Sequence, residues 1–185
     1  ALVLLAGNAA LLMKKRQFFA AGALTAAFLC VHVWNIRLSL EYQPAVLVTL
    51  LVLPLFVLFY RNDSALSILA VLSGVTIAFF DFLTAETLTI LIPLIVVFIM
   101  RKQDDVFPGL RDSFILTLKC GSAWLISYAG TFLAKWGLAS AVTGENKFAT
   151  ALTSAEVRFV GEAETLSPAE QFFLAPAANL STLFG

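Results

Sequence analysis

Six side chains in an otherwise oily chain have types and positions suited to proton or phosphate chemistry: His32, Arg37, Asp81, Glu86, Lys135 and Trp136. Asp81 stands in Phe79-Phe80-Asp81-Phe82-Leu83-Thr84, with phenylalanine on both sides. A carboxylate there loses hydration, which raises its pKa unless a cation is near and gives it either a partner or a task. Two readings stand: an acid that handles protons, with Glu86 as a second acid at the same level, or a structural carboxylate that caps the next helix or pairs with Lys135. Lys135 closes a stripe of Lys119, Ala123, Ser127, Thr131 and Lys135, spaced every four residues. That stripe is either a packing seam with snorkelling lysines at its ends or a seam ending in a phosphate contact. Arg37 is four residues before Glu41, the spacing of a solvated helical pair. His32 reads as a hydrogen-bonded packing residue or a member of the same site. Trp34 and Trp136 read as interfacial anchors, with Trp136 also placed to flank a substrate bound at Lys135.

The elements that position these residues follow from composition. Of 185 residues, 60% are hydrophobic and only 13% charged, against about 25% charged in an ordinary soluble domain. A soluble fold of this size has too little interior for so much apolar surface. Twelve basic and twelve acidic residues cancel, so no basic field exists to hold nucleic acid. The same composition excludes intrinsic disorder. The expected fold class is all-α, a polytopic membrane bundle of about six spans.

Charges punctuate six apolar runs, at 1–13, 17–36, 44–60, 64–80, about 84–100 and about 112–142. Pro54 and Pro93 fall inside the third and fifth and should kink them. Ala70, Gly74 and Ala78 form a small-residue packing seam in the fourth. The linkers at 14–16, 61–63 and 101–111 hold seven basic residues, whereas the alternate linkers hold one, Arg37. That asymmetry places the first set in the cytoplasm and the turns at 37–43 and 81–86 outside. Cys30 and Cys120 lie within apolar runs and read as buried small hydrophobes. One histidine and no paired cysteines exclude a zinc site.

Two regions are expected: a bundle over 1–143 and an extracytoplasmic segment over 144–185. In the second, Phe148, Ala151, Leu152, Ala155 and Phe159 recur at helical spacing, as in an amphipathic helix at the outer surface. The chain opens on apolar residues without an initiating methionine and ends on Leu183-Phe184-Gly185, which reads as an excerpt of a longer polypeptide. Counting about 1.5 Å per residue, His32 and Arg37 lie roughly 24–32 Å above Arg16, and Asp81 about 30 Å above Arg61. Lys135 and Trp136 lie about 35 Å beyond Asp112. All meet one plane at the outer boundary of a hydrocarbon core about 30 Å thick.

Phe80-Asp81-Phe82-Leu83-Thr84 with Ile92-Pro93-Leu94, and Ser127-Tyr128-Ala129-Gly130 with Ala134-Lys135-Trp136 and Thr143-Gly144-Glu145-Asn146, carry a resemblance. Over roughly 74–160 the chain resembles a largely uncharacterised group of large bacterial multi-pass membrane proteins, itself similar to the GT-C superfamily of integral-membrane glycosyltransferases. The resemblance implies a polyprenyl-phosphate-linked sugar donor, transfer at the outer membrane face, and a place in the bacterial cytoplasmic membrane with cell-envelope glycan as the product. In that superfamily the catalytic acid usually sits in the first outer loop, whereas Asp81 belongs to a later turn. On this reading an acid, Asp81 or Glu86, takes a proton from the acceptor hydroxyl, and Lys135 and Arg37 hold the phosphate leaving group. A divalent metal held by Asp81 or Glu86 is the other use of these acids. The competing functions are a non-catalytic scaffold or assembly subunit and a transporter. A nearly bare midplane counts against the transporter, which needs ionisable groups there.

Overall fold

The computed structural model describes residues 1–30, 42–80, 87–106 and 109–149. Among them the fold is all-α, with helices α1 (Leu2–Lys14), α2 (Phe18–Cys30), α3 (Tyr42–Leu58), α4 (Asp63–Phe79), α5 (Leu88–Gln103) and α6 (Leu110–Thr143). Each apolar run of the sequence became one helix. α2 and α3 contain no charged residue, and α5 carries its charges, Arg101 and Lys102, only in the last turn. α4 starts where Asn62, in an extended conformation, accepts a hydrogen bond from Ala65 N at 3.1 Å. This cap satisfies one of the four amide groups that open every helix without an intrahelical partner.

Two compact units divide within α6, Ala1–Ala134 and Lys135–Gly185. In the first unit, α3 packs on α1, α4 and α5, and α5 also meets α2 and α4. One core cluster joins Leu5, Leu12, Leu24, Phe28, Leu50, Leu53, Val96 and Met100. A second joins Phe56, Leu66, Ile77, Leu94, Val97, Leu116, Cys120 and Trp124. α3 and α5 contribute to both, so they form the wall between the two halves of the interior. Every helix also turns large apolar side chains outward, among them Val3, Phe18, Leu51, Ile68, Leu91 and Ile126.

About six spans were expected, yet among the described residues no helix is long and apolar enough to cross a membrane. α1 and α2 have 13 residues, α5 has 16, and α3 and α4 have 17. In α1, α3 and α4 the helices are as long as the apolar runs that mark them, so the shortness lies in the runs themselves. α6 has 34 residues, but Lys119, Lys135 and a series of Ser, Thr and Gly dilute its apolar character.

Pro54 and Pro93 lie inside α3 and α5. A proline has no N–H, so the carbonyl four residues earlier loses its helical donor. In α3 that carbonyl belongs to Leu50, and a neighbouring helix supplies the replacement. Asn8 of α1, itself buried, donates from Nδ2 to Leu50 O at 2.9 Å and to Leu4 O at 2.8 Å. The two carbonyls fix the amide's orientation and leave Asn8 Oδ1 without a hydrogen bond. In α5 the residue four before Pro93 is Thr89, whose buried hydroxyl accepts the indole N–H of Trp124 at 3.0 Å. Each proline-bearing helix is therefore tied to a neighbour one turn before its proline.

The seam in α4 packs as its composition suggests. Ala70, Gly74 and Ala78 are all buried. A Cβ at Gly74 would collide with Ser127 Oγ and stand 2.6 Å from Trp124 O of α6. The buried line of α6 is Leu116, Cys120 and Trp124, with Tyr128 stacked on Trp124 at 5.2 Å between ring centroids. Of the expected stripe, Ser127 meets the α4 seam, whereas Lys119 is exposed.

Two outcomes are expected in unfolding titrations of the purified protein. Asn8→Leu should cost about 1–3 kcal/mol by stranding a buried carbonyl, and much of that cost should vanish in a Pro54→Ala background, which restores the backbone donor. Equal costs in both backgrounds would dissociate Asn8 from the proline. Gly74→Val should destabilise by about 1–3 kcal/mol through overpacking, whereas Gly22→Ala, with open space at the new methyl group, should stabilise by up to about 1 kcal/mol.

Candidate functional site

His32, Arg37, Asp81 and Glu86 lie outside the described residues, as do Trp34 and Glu41. Lys135 and Trp136 are described and belong to the second unit. Both are half-buried, and the Lys135 ammonium lies 5.9 Å from the centroid of the Trp136 ring, within cation–π range. One turn on, Ser140 Oγ donates to Trp136 O at 2.9 Å and accepts from Lys147 N at 3.0 Å. Gly144, at φ +70°, ends α6 in the left-handed conformation that glycine adopts without strain. Phe148 then lies against Gly137. Of the proposed outer-face amphipathic helix, Phe148 is the one apolar position within the described residues. Of the six candidate residues, the described structure brings together Lys135 and Trp136.

The densest polar convergence among the described residues lies elsewhere, at the ends of α1, α3 and α5. Its centre is Asp104, just past α5. Asp104 Oδ1 accepts from Gln17 Nε2 at 2.7 Å, and Oδ2 accepts from Arg61 at 2.8 Å and from the Tyr60 hydroxyl. Arg61 Nε also donates to the Tyr60 hydroxyl at 2.7 Å. Lys15 and Arg61 place cations 5.5 Å and 5.2 Å from the Tyr60 ring centroid. Beside this group, Arg101 is 5% exposed and directs Nε to Tyr60 O and a terminal nitrogen to Asp63 Oδ1, both at 2.6 Å. Asp63 opens α4 and Arg101 lies in the last turn of α5, so each charge also faces the helix end that favours it.

Two turns position these groups. After α1, Arg16 takes φ 60°, with Arg16 N bonded to Met13 O and Gln17 N to Leu12 O, both at 2.9 Å. After α5, Asp105 takes φ 53°, with Val106 N bonded to Arg101 O at 2.9 Å. Both are Schellman closures in which a charged residue occupies the left-handed position usually held by glycine. They orient Gln17 and Asp104 toward each other.

The sequence grouped these three linkers by their bases, and the structure does bring them to one end. Counting bases alone passed over the acids in the same linkers, Asp63 and Asp104, and the two neutral hydrogen-bonding groups at their edges, Gln17 and Tyr60. The available signal was the alternation of sign in Arg61-Asn62-Asp63 and Arg101-Lys102-Gln103-Asp104. Chemically the cluster's charges are used on one another, while the buried Gln17 Oε1 is left without a hydrogen bond. The hydrogen bonds from Tyr60 and then Arg61 hold the Asp104 carboxyl below the ordinary carboxylate range. Burial, and next the bond to Asp104, push the Tyr60 phenol upward and keep it neutral. Neither group is available as a base or nucleophile. Among the described residues no group of three His, Cys, Asp or Glu is placed to hold a metal ion.

Comparison with known protein families, characterised proteins and solved structures finds no match to this chain.

Because Asp104 has a lower pKa in the folded protein than the unfolded value of about 3.9, its contribution is complete above about pH 4. It is lost as the pH falls through the folded value. Asp104→Asn should therefore lower stability at pH 7 by about 1–2 kcal/mol and flatten the acid limb of the stability profile. Chemical unfolding between pH 3 and 7 would measure both, and an unchanged acid limb would exclude Asp104 as the titrating group.

Proposed function

We propose that this chain is a polytopic helical bundle of the bacterial cytoplasmic membrane, part of a larger glycosyltransferase-like protein that draws on a polyprenyl-phosphate-linked sugar. The observation that carries the membrane assignment is the distribution of exposed surface. Every helix exposes large apolar side chains, while the ion pairs Arg61–Asp104 and Arg101–Asp63 lie at turns and helix ends. A water-soluble domain rarely exposes so large an apolar area. Helices of 16 or 17 residues rise about 24–26 Å, a few ångströms short of a typical core. Thinning of the bilayer and snorkelling of flanking lysines accommodate a mismatch of that size.

The transferase reading rests on the resemblance over roughly 74–160 and on the residue types at the outer plane. Asp81 or Glu86 serves as the base for an acceptor hydroxyl, or holds a divalent cation that offsets phosphate charge. Lys135 and Arg37 bind the phosphate of the donor, and His32 and Trp136 line the same site. The cation–π contact of Lys135 with Trp136 supports this reading, since it holds the ammonium beside an interfacial ring. A transporter fits less well: the one buried charge among the described residues, Arg101, sits at a helix end and is paired.

A non-catalytic scaffold is the second reading. It is favoured by the cluster at Asp104, whose polar groups are used on one another to join helices.

The deciding experiment assays the whole protein that contains this chain, in membranes supplied with a polyprenyl-phosphate-linked sugar. Asp81→Asn should reduce transfer at least about 100-fold, the scale of a lost general base, without changing the amount of folded protein. Lys135→Met should weaken donor use more than acceptor use. Full activity in Asp81→Asn would remove that residue from the mechanism, and no transfer by the unmutated protein would favour the scaffold.

A further inference from the structure

A cleft of about 360 Å³ opens at the same end of the first unit as the Asp104 cluster, lined by Phe19 of α2 and by Ile99, Lys102 and Gln103 of α5. Ile99 precedes Lys102 by three residues and Gln103 by four, so the three share one face of α5. An ammonium and an amide thus stand at the helix end with Ile99 about one turn, roughly 5 Å, deeper, and Phe19, in the first turn of α2, lines the same space.

The charge around this cleft has a definite sign. The Arg61–Asp104 and Arg101–Asp63 pairs neutralise themselves. Lys14, Lys15, Arg16 and Lys102 then remain against a single acid, Asp105, in the turns after α1 and α5. Among the described residues no salt bridge takes up Lys102, and its side chain is exposed.

We propose that this cleft binds one anionic phospholipid of the surrounding leaflet, its phosphate on Lys102 and Gln103 and an acyl chain along Ile99 and Phe19. The proposal rests on the membrane reading above and adds to it a lipid class and a place. The order of chemistry along the cleft, cation then amide then apolar wall, matches the order along such a lipid from headgroup to chain. The surplus of positive charge distinguishes an anionic headgroup from a zwitterionic one, which brings no net charge to the site.

The full chain would be reconstituted into phosphatidylcholine vesicles containing spin-labelled phosphatidylglycerol or spin-labelled phosphatidylcholine, and the motionally restricted fraction of each label measured by electron paramagnetic resonance. The expected result is preferential restriction of phosphatidylglycerol that falls roughly five-fold in Lys102→Gln, the effect of one lysine at an anionic surface. Ile99→Ala combined with Phe19→Ala should shrink the restricted fraction for phosphatidylglycerol, and Lys119→Gln, on an exposed face of α6, should leave the preference unchanged. Equal restriction of both lipids by the unmutated chain, or a loss in Lys119→Gln as large as in Lys102→Gln, would overturn the proposal while leaving the membrane reading intact. A chain that fails to float with the vesicles in a density gradient would overturn both.

Discussion

The bundle of α1 to α5 closes on one carboxylate. Asp104 receives three donors, from Gln17, Tyr60 and Arg61, and these come from the two hairpin turns that precede it in the chain. With Arg101 reaching back to Asp63 and to Tyr60 O, the end of α5 is bound to the α3–α4 turn from both sides of Tyr60. Burying an arginine is tolerable only because both of its directions are occupied; losing either partner would strand a charge in a poorly solvated place. Helices that are apolar all round have no polar stripe to fix their rotation or axial position. Contacts at the turns and a few buried hydrogen bonds therefore set the register that hydrophobic packing alone would leave loose.

Hydrogen bonds inside the bundle act in the same way. The Asn8 amide at Leu50 O and the Trp124 indole at the Thr89 hydroxyl are each a single point of specificity in an apolar surrounding. Both sit next to a proline, where the helix has one donor too few. Gly74 adds a steric point: α4 and α6 meet where one side chain is absent.

Much of the helical architecture was legible in the sequence, because charge breaks and apolar runs mark helix boundaries directly. The seam at Ala70, Gly74 and Ala78 and the burial of Cys120 were also readable. The exact frame of a helix was not: Phe59 and Tyr60 score as apolar yet fall in the turn after α3, while Tyr42 and Gln43 lie in the helix. Asn8 went unnoticed because one amide barely alters the hydropathy of its run, and its role depends on a proline 46 positions away. The division between compact units at Ala134 has no sequence signal, because α6 continues through it. Of the candidate site, Lys135 and Trp136 are described as neighbours, which adjacency in sequence already implied; His32, Arg37, Asp81 and Glu86 fall outside the described residues.

The bond from Asn8 to Leu50 also imposes an order on assembly. Its two partners are separated by 42 positions, so during synthesis α1 emerges well before the carbonyl its amide will meet. Until α3 arrives, Asn8 carries a polar group with no place in the interior, and α1 has only its own Leu4 carbonyl and its contacts with α2 to hold it. The first hairpin is thus provisional. It becomes fixed when a later helix presents the carbonyl that its own proline leaves without a helical donor, so α1 settles only once α3 is in place.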